Sequence, residues 1–372
     1  MTSRSSGWVV GRVAGAPVIV TPSWFLGAVV LTLVFAPTVS RFAPRMATTG
    51  VLVVAFAFVL LLFASVFLHE VAHALVARAR GQRVTELAVT LWGGHTAYTG
   101  AAGRPLDGAL IAVVGPVTNL VLAGAMWVAF ELQPVMTVPA MLLFAGAFSN
   151  AFVGIFNLLP GLPLDGGQIL ESLVWGATGS RTRGTVAAGW VGRVVAVGVV
   201  AWALLWPLRE GLSPSWVTVM WSALIGAFLW SGAGDAIKGA HRRAELGRIT
   251  VRTLAVPAVP VPTTTAVAGI PAAAAAHPGA VVVVVGPTGE PVGWVDPAAA
   301  ASVPADRAAT TPVEAVVVPF PPGSAVDAGL GGPDLLSRLA GTSSGARVVP
   351  VITAGRVTGV LDVARVAAAV RR

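Results

Sequence analysis

Residues 51–68, VLVVAFAFVLLLFASVFL, run for eighteen positions without a charge, and Ser65 is the one polar side chain among them. A stretch of that kind is stable as a bilayer-crossing helix. About 20 apolar residues climb through the ~30 Å hydrocarbon layer while each backbone amide bonds within its own helix. The pattern recurs, and we read six spans at about 22–38, 51–75, 107–131, 139–160, 186–206 and 215–233. Of 372 residues 55% are hydrophobic and 11% charged, and the mean hydropathy is +0.81, which excludes an ordinary soluble enzyme. The expected fold class is an α-helical polytopic membrane protein over residues 1–235, followed by a soluble α/β region.

The net charge of +8 belongs to the membrane part. Through residue 252 there are 17 Arg or Lys against 9 Asp or Glu, and beyond it 7 of each sign. Short basic loops of this kind mark cytoplasmic flanks and contact with anionic lipid, so the reading is a lipid bilayer and no nucleic acid. Thirteen basic residues, from Arg4 and Arg12 to Arg248 and Arg252, fall in alternate segments, and the opposite segments hold Arg41, Arg45 and Arg209. This predicts a multi-pass protein of the cell membrane with both termini cytoplasmic. Arg193 lies inside the fifth span, near its cytoplasmic end, where its side chain can snorkel to the interface. The first fifteen residues lack the apolar core of a removable signal peptide.

Composition turns polar and basic at 236–252, which reads as a short helix and linker. Beyond it, GAVVVVVGPTGEPVGWVDPAAAA (279–301) aligns with GARVVPVITAGRVTGVLDVARVA (345–367) at an offset of 66, pairing Gly279 with Gly345, Gly293 with Gly359 and Asp296 with Asp362. Each unit reads as strand, turn, strand and short helix, giving tandem repeats over about 253–310 and 311–372.

With no cysteine and five histidines, any metal chemistry rests on imidazole and carboxylate. The strongest signal is HEVAH, residues 69–73. On a helix His69 and His73 share one face and can bind one metal ion, with Glu70 placed to deprotonate a bound water. Ionisable groups at the end of an apolar span are costly without a function. NLLPGLPLDGG (157–167) breaks a helix at Pro160 and Pro163, which a membrane tolerates only around a cavity or buried protein. Its Asp165 is the candidate third ligand; the alternative is a helix cap. His95 is read as lining the substrate path or facing the interface, and His241 and His277 as solvated.

These motifs resemble the site-2 protease family of intramembrane zinc metalloproteases, peptidase family M50, in its bacterial form with a C-terminal pair of CBS domains. HEVAH matches the family's zinc-binding motif and NLLPGLPLDGG its Asn to Asp-Gly segment. The resemblance implies Zn2+ held by His69, His73 and Asp165, Glu70 as general base, and Asn157 holding substrate or oxyanion. GPVTNL (115–120) carries Asn119 over as a further site residue, with a helix-packing role as the alternative. The stretch 84–100 resembles a membrane-inserted β element beside the active site. The implied function is endoproteolysis of transmembrane segments in regulated intramembrane proteolysis, acting on a membrane protein substrate such as a membrane-bound regulator of the anti-sigma-factor kind. The tail resembles a CBS pair whose nucleotide pattern has changed. Asp296 and Asp362 stand where Thr or Ser is expected, and Ala299 and Arg365 where Asp is expected, leaving adenine nucleotide binding and homodimerisation both open. Two other classes are a non-proteolytic membrane receptor or scaffold and, third, a metal transporter.

Overall fold

A computed structural model describes residues 6–90, 93–99, 103–342 and 346–371. The expected Arg4 and Gly345 fall outside them, as do Leu91, Trp92 and Gly100 of the 84–100 stretch. The chain divides into two compact units, Met1–Ala240 and His241–Arg372.

In the first unit seven helices follow one another: α1 (Pro22–Phe42), α2 (Thr48–Ala79), α3 (Pro105–Glu131), α4 (Val138–Asn157), α5 (Asp165–Thr178), α6 (Arg181–Arg209) and α7 (Trp216–Arg248). All but α5 are long and apolar enough to cross a membrane. Large apolar side chains face outward along them, Val121, Phe148 and Val194 being 65%, 69% and 69% exposed, as a lipid-contacting surface requires. The spans differ from the sequence reading at their ends: α1 runs on to Phe42, α4 stops at Asn157 and α6 covers Arg181–Arg209. The second extends beyond 51–75 at both ends, so HEVAH lies inside α2. The separate short helix expected in 236–252 is instead the end of α7, which is unbroken to Arg248. No proline interrupts this stretch, and the glycines there weaken a helix without stopping it.

Four strands complete this unit: β1 (Trp8–Val13), β2 (Ala16–Val20), β3 (Arg83–Thr90) and β4 (Gly93–Thr99), forming one sheet in that order. Only the β3–β4 hairpin lies within the β element read from sequence. The β1–β2 hairpin turns at Ala14 and Gly15, both at positive φ, as a two-residue turn with the twist of its strands requires. Val18 pairs in parallel with Leu87, and Ala16, Val18, Val84 and Leu87 pack with Ala74 and Ala77 of α2 and Ile111 of α3. That core ties the sheet to the end of α2 and lays β4 along HEVAH.

The second unit forms one seven-stranded sheet. Its strands are β5 (Val256–Pro262), β6 (Val281–Val285), β7 (Pro291–Val295), β8 (Val317–Pro319), β9 (Val326–Asp327), β10 (Val348–Thr353) and β11 (Arg356–Asp362), ordered β8-β7-β6-β5-β11-β10-β9. The hairpins β6–β7 and β10–β11 are each followed by a short helix, Pro297–Ala301 and Val363–Arg371.

Candidate metal centre

One helical turn of α2 brings His69 and His73 together with Nε2 atoms 3.0 Å apart. Asp165, the first residue of α5, places Oδ2 3.1 Å from His69 Nε2 and 3.4 Å from His73 Nε2. All three side chains are buried. Among the described residues this is the one group of three or more His, Asp or Glu that could enclose a metal ion.

The protonation pattern follows from the outer partners. His69 Nδ1 lies 2.5 Å from Asn119 Oδ1, and Asn119 Nδ2 donates to Asn150 Oδ1 at 2.8 Å. Asn150 Nδ2 in turn donates to Ser65 Oγ and to the Gly146 carbonyl. With the amide of Asn119 so oriented, His69 Nδ1 must carry the proton it donates. His73 Nδ1 donates likewise to the Ile111 carbonyl at 2.6 Å. A neutral imidazole protonated on Nδ1 presents a lone pair on Nε2. Two such lone pairs and a carboxylate oxygen therefore face one another at 3.0–3.4 Å, and Asp165 Oδ2 is buried without a hydrogen bond. Three buried acceptors with no donor between them need a cation. Donors about 2.0–2.1 Å from a tetrahedral metal stand roughly 3.3 Å apart, so the triangle has the right size. The imidazoles also have the backing partners that metal-binding histidines use.

The surrounding backbone makes room for this cluster. Gly115 of α3 packs directly on it: a Cβ there would lie 2.4 Å from His73 Nε2 and 2.6 Å from His69 Nε2. The DGG sequence has a similar cause. A Cβ on Gly166 would stand 2.3 Å from the Leu158 carbonyl oxygen and one on Gly167 2.2 Å from Leu162 N. The 158–164 turn thus folds tightly back on the start of α5. Leu162 N also donates to the Ala188 carbonyl of α6 at 3.1 Å, anchoring the segment that carries Asp165.

A cavity of about 450 Å³ opens beside the cluster, lined by Glu70, Asn157 and Phe228 and by β4 residues that include Thr96 and Tyr98. Thr96 Oγ1 lies 2.8 Å from Glu70 Oε2; sequence reading gave no signal for it beyond its place in the hairpin. Asn157 donates once, to its own helix at Val153 O, and keeps its remaining amide atoms for the cavity. Burial pushes the Tyr98 phenol above its ordinary pKa, so it stays a neutral hydroxyl. Asn119 is fully buried behind His69 and does not line the cavity. His95 does line it, half-exposed, with Nε2 3.7 Å from Glu86 Oε1 and outside the His-His-Asp group.

Residues 57–140 and 131–201 match the sequence profile of Peptidase family M50. The matched stretch lies within the membrane unit, which is thus similar to peptidase family M50. A Synechocystis protein named as a zinc metalloprotease is 31% identical over 257 residues, covering 68% of this chain and 65% of its own. The Rip3 protein of Mycobacterium tuberculosis, also named as a zinc metalloprotease, is 38% identical over 179 residues, 47% of this chain and 44% of that one. This chain thus spans less than two thirds of the length of either relative. The solved site-2 protease of Methanocaldococcus jannaschii superposes with a TM-score of 0.44 at 21% identity, covering 62% of this chain and 94% of that one.

Proposed function

We propose that this protein is a zinc-dependent intramembrane endopeptidase that cleaves transmembrane segments of other membrane proteins. The observation that carries this is the buried triangle of His69 Nε2, His73 Nε2 and Asp165 Oδ2, three lone-pair donors turned on one point. Zinc held there would polarise the scissile carbonyl and acidify water at neutral pH. Glu70 then accepts the proton of the attacking water as the new C–O bond forms, and returns it to the amide nitrogen as the C–N bond breaks. Thr96 fixes the Glu70 carboxylate, and the free amide hydrogen of Asn157 is available to the substrate carbonyl. Asn119 acts one step back, by holding the His69 tautomer.

Substrate entry has a physical support too. A peptide bond inside a helix is already hydrogen-bonded, so the cut segment must be extended. Among the described residues β4 bonds to β3 on one side and has no strand neighbour on the other, and its residues line the cavity. A peptide strand added there by main-chain hydrogen bonds would run beside Glu70. In this reading the protein lies in the cell membrane with both termini cytoplasmic, supported by the distribution of Arg and Lys. The cut falls toward the cytoplasmic side, in regulated intramembrane proteolysis of a membrane-bound regulator such as an anti-sigma factor.

For the second unit we propose a structural, dimer-forming role over nucleotide sensing. Both aspartates at the altered CBS positions are engaged as helix caps, Asp296 Oδ1 accepting from Ala298 N at 2.9 Å and Asp362 Oδ1 from Ala364 N at 2.8 Å.

The test is cleavage of a transmembrane peptide in proteoliposomes. Glu70→Gln should lower kcat on the order of a thousandfold, as loss of a general base does, while metal content stays unchanged. A Glu70→Gln protein that cuts at the native rate would refute the reading.

A further inference from the structure

Arg193 is a cation inside a membrane span, with no counter-charge paired to it among the described residues. Its guanidinium carbon lies 4.7 Å from the ring centre of Trp190 on α6 and 5.0 Å from that of Trp230 on α7. Its Nε is buried and hydrogen-bonded to nothing. Among the described residues it forms no ion pair, and Asp235, one turn beyond Trp230, is exposed. Gly234 of α7 lies beside it, and a Cβ there would be in ordinary contact with Nη2 at 3.5 Å. The two indoles thus flank the guanidinium, and among the described residues its Nη atoms have no hydrogen-bond partner.

The depth of this group can be read from the tryptophans. Trp190 and Trp230 are 55% and 47% exposed, and a second outward-facing set, Trp202, Trp206, Trp216 and Trp221, lies toward the far ends of the same two helices. From Trp190 to Trp206 is about 24 Å along α6, close to the hydrocarbon thickness, and tryptophan gathers at both membrane interfaces. The Arg193 backbone therefore lies about one turn inside the interface marked by Trp190, from which its long side chain can reach the headgroups on the Arg181 side.

We propose that Arg193, framed by Trp190 and Trp230, binds the phosphate of an anionic phospholipid. A planar guanidinium offers two parallel N–H donors that match phosphate oxygens, and charge-assisted pairs of this kind are strong where water is scarce. The bilayer presents phosphodiesters at this depth, whereas free phosphate would reach the site from solution. The site is separate from the metal cluster and does not depend on the proteolytic reading.

Native mass spectrometry of the full chain in detergent tests this with phosphatidylglycerol, phosphatidylcholine and inorganic phosphate as probes. The native protein should retain phosphatidylglycerol in preference to phosphatidylcholine. Arg193→Gln should weaken that retention roughly tenfold, Arg193→Lys should weaken it less, and Lys238→Gln should leave it unchanged. If Arg193→Gln does not fold, the loss in Arg193→Lys carries the test, since an ammonium keeps the charge without the planar fork. Equal retention in the native and both Arg193 proteins would overturn the site. Displacement of the lipid by millimolar inorganic phosphate would overturn the lipid assignment in favour of the soluble anion.

Discussion

Asp165 in the membrane unit and Asp296 and Asp362 in the second unit all stand at the start of a helix, yet their carboxylates are used differently. Asp296 and Asp362, half-buried, bond to amides two residues ahead in their own helices. Asp165 is one residue further in, the N-cap position being Leu164, which makes no side-chain cap. The residue is 8% exposed, its carboxylate turned across the bundle to two histidines from another helix. A carboxylate near water can settle for a local amide. One buried among apolar helices needs a charged or strongly polar partner, and the partner here comes from far along the chain. Both aspartates in the lining of the cavity of about 530 Å³ in the second unit are therefore already bonded within their own helices.

The largest effect expected from pressing on this difference is at Gly115. Gly115→Ala places a methyl among the Nε2 atoms, and because the obstruction is attached to the backbone of α3 it cannot rotate away. Metal affinity, measured by competition with a chelator, should fall by about a hundredfold, near the top of the range for disturbed metal surroundings. Unchanged affinity would mean that the Nε2 lone pairs do not point where we place them. Asn119→Ala comes next. Without its acceptor, the His69 tautomer is no longer fixed, and metal affinity should drop by roughly ten- to a hundredfold while the helices persist by circular dichroism. The smallest effect belongs to the second unit: Asp296→Ala removes a cap and should cost about 1 kcal/mol of its stability in thermal unfolding, with metal content untouched. A loss of metal in that variant would break the comparison.

The sequence made some of this plain. Six apolar runs and HEVAH were legible because charges and imidazoles are rare and expensive in lipid, so their presence is informative. Asp165 stood out through the prolines and glycines around it, although its choice between ligand and cap depended on a side-chain direction that only the fold provides. The β1–β2 hairpin was missed because WVVGRV carries no alternation of apolar and polar residues and is exposed almost throughout. Thr96 was missed since its partner, Glu70, is 26 residues away and paired through a strand register. Asn150 and Ser65 looked like isolated polar residues in separate spans. Their role appears only when helices α2, α3 and α4 meet and the hydrogen bonds run in one direction, donated outward from His69 to Asn119, Asn150 and Ser65. The continuation of α7 past residue 236 had no positive signal, because polar surface residues suit a helix as well as a linker.

The central claim is that His69, His73 and Asp165 hold one metal ion between them. Its most direct test is the zinc content per chain of the purified full-length protein, compared with His69→Ala and Asp165→Ala prepared identically. We expect about one zinc per native chain and little or none in either variant. Full occupancy in Asp165→Ala, or a native protein that takes up no zinc on reconstitution, would contradict the account.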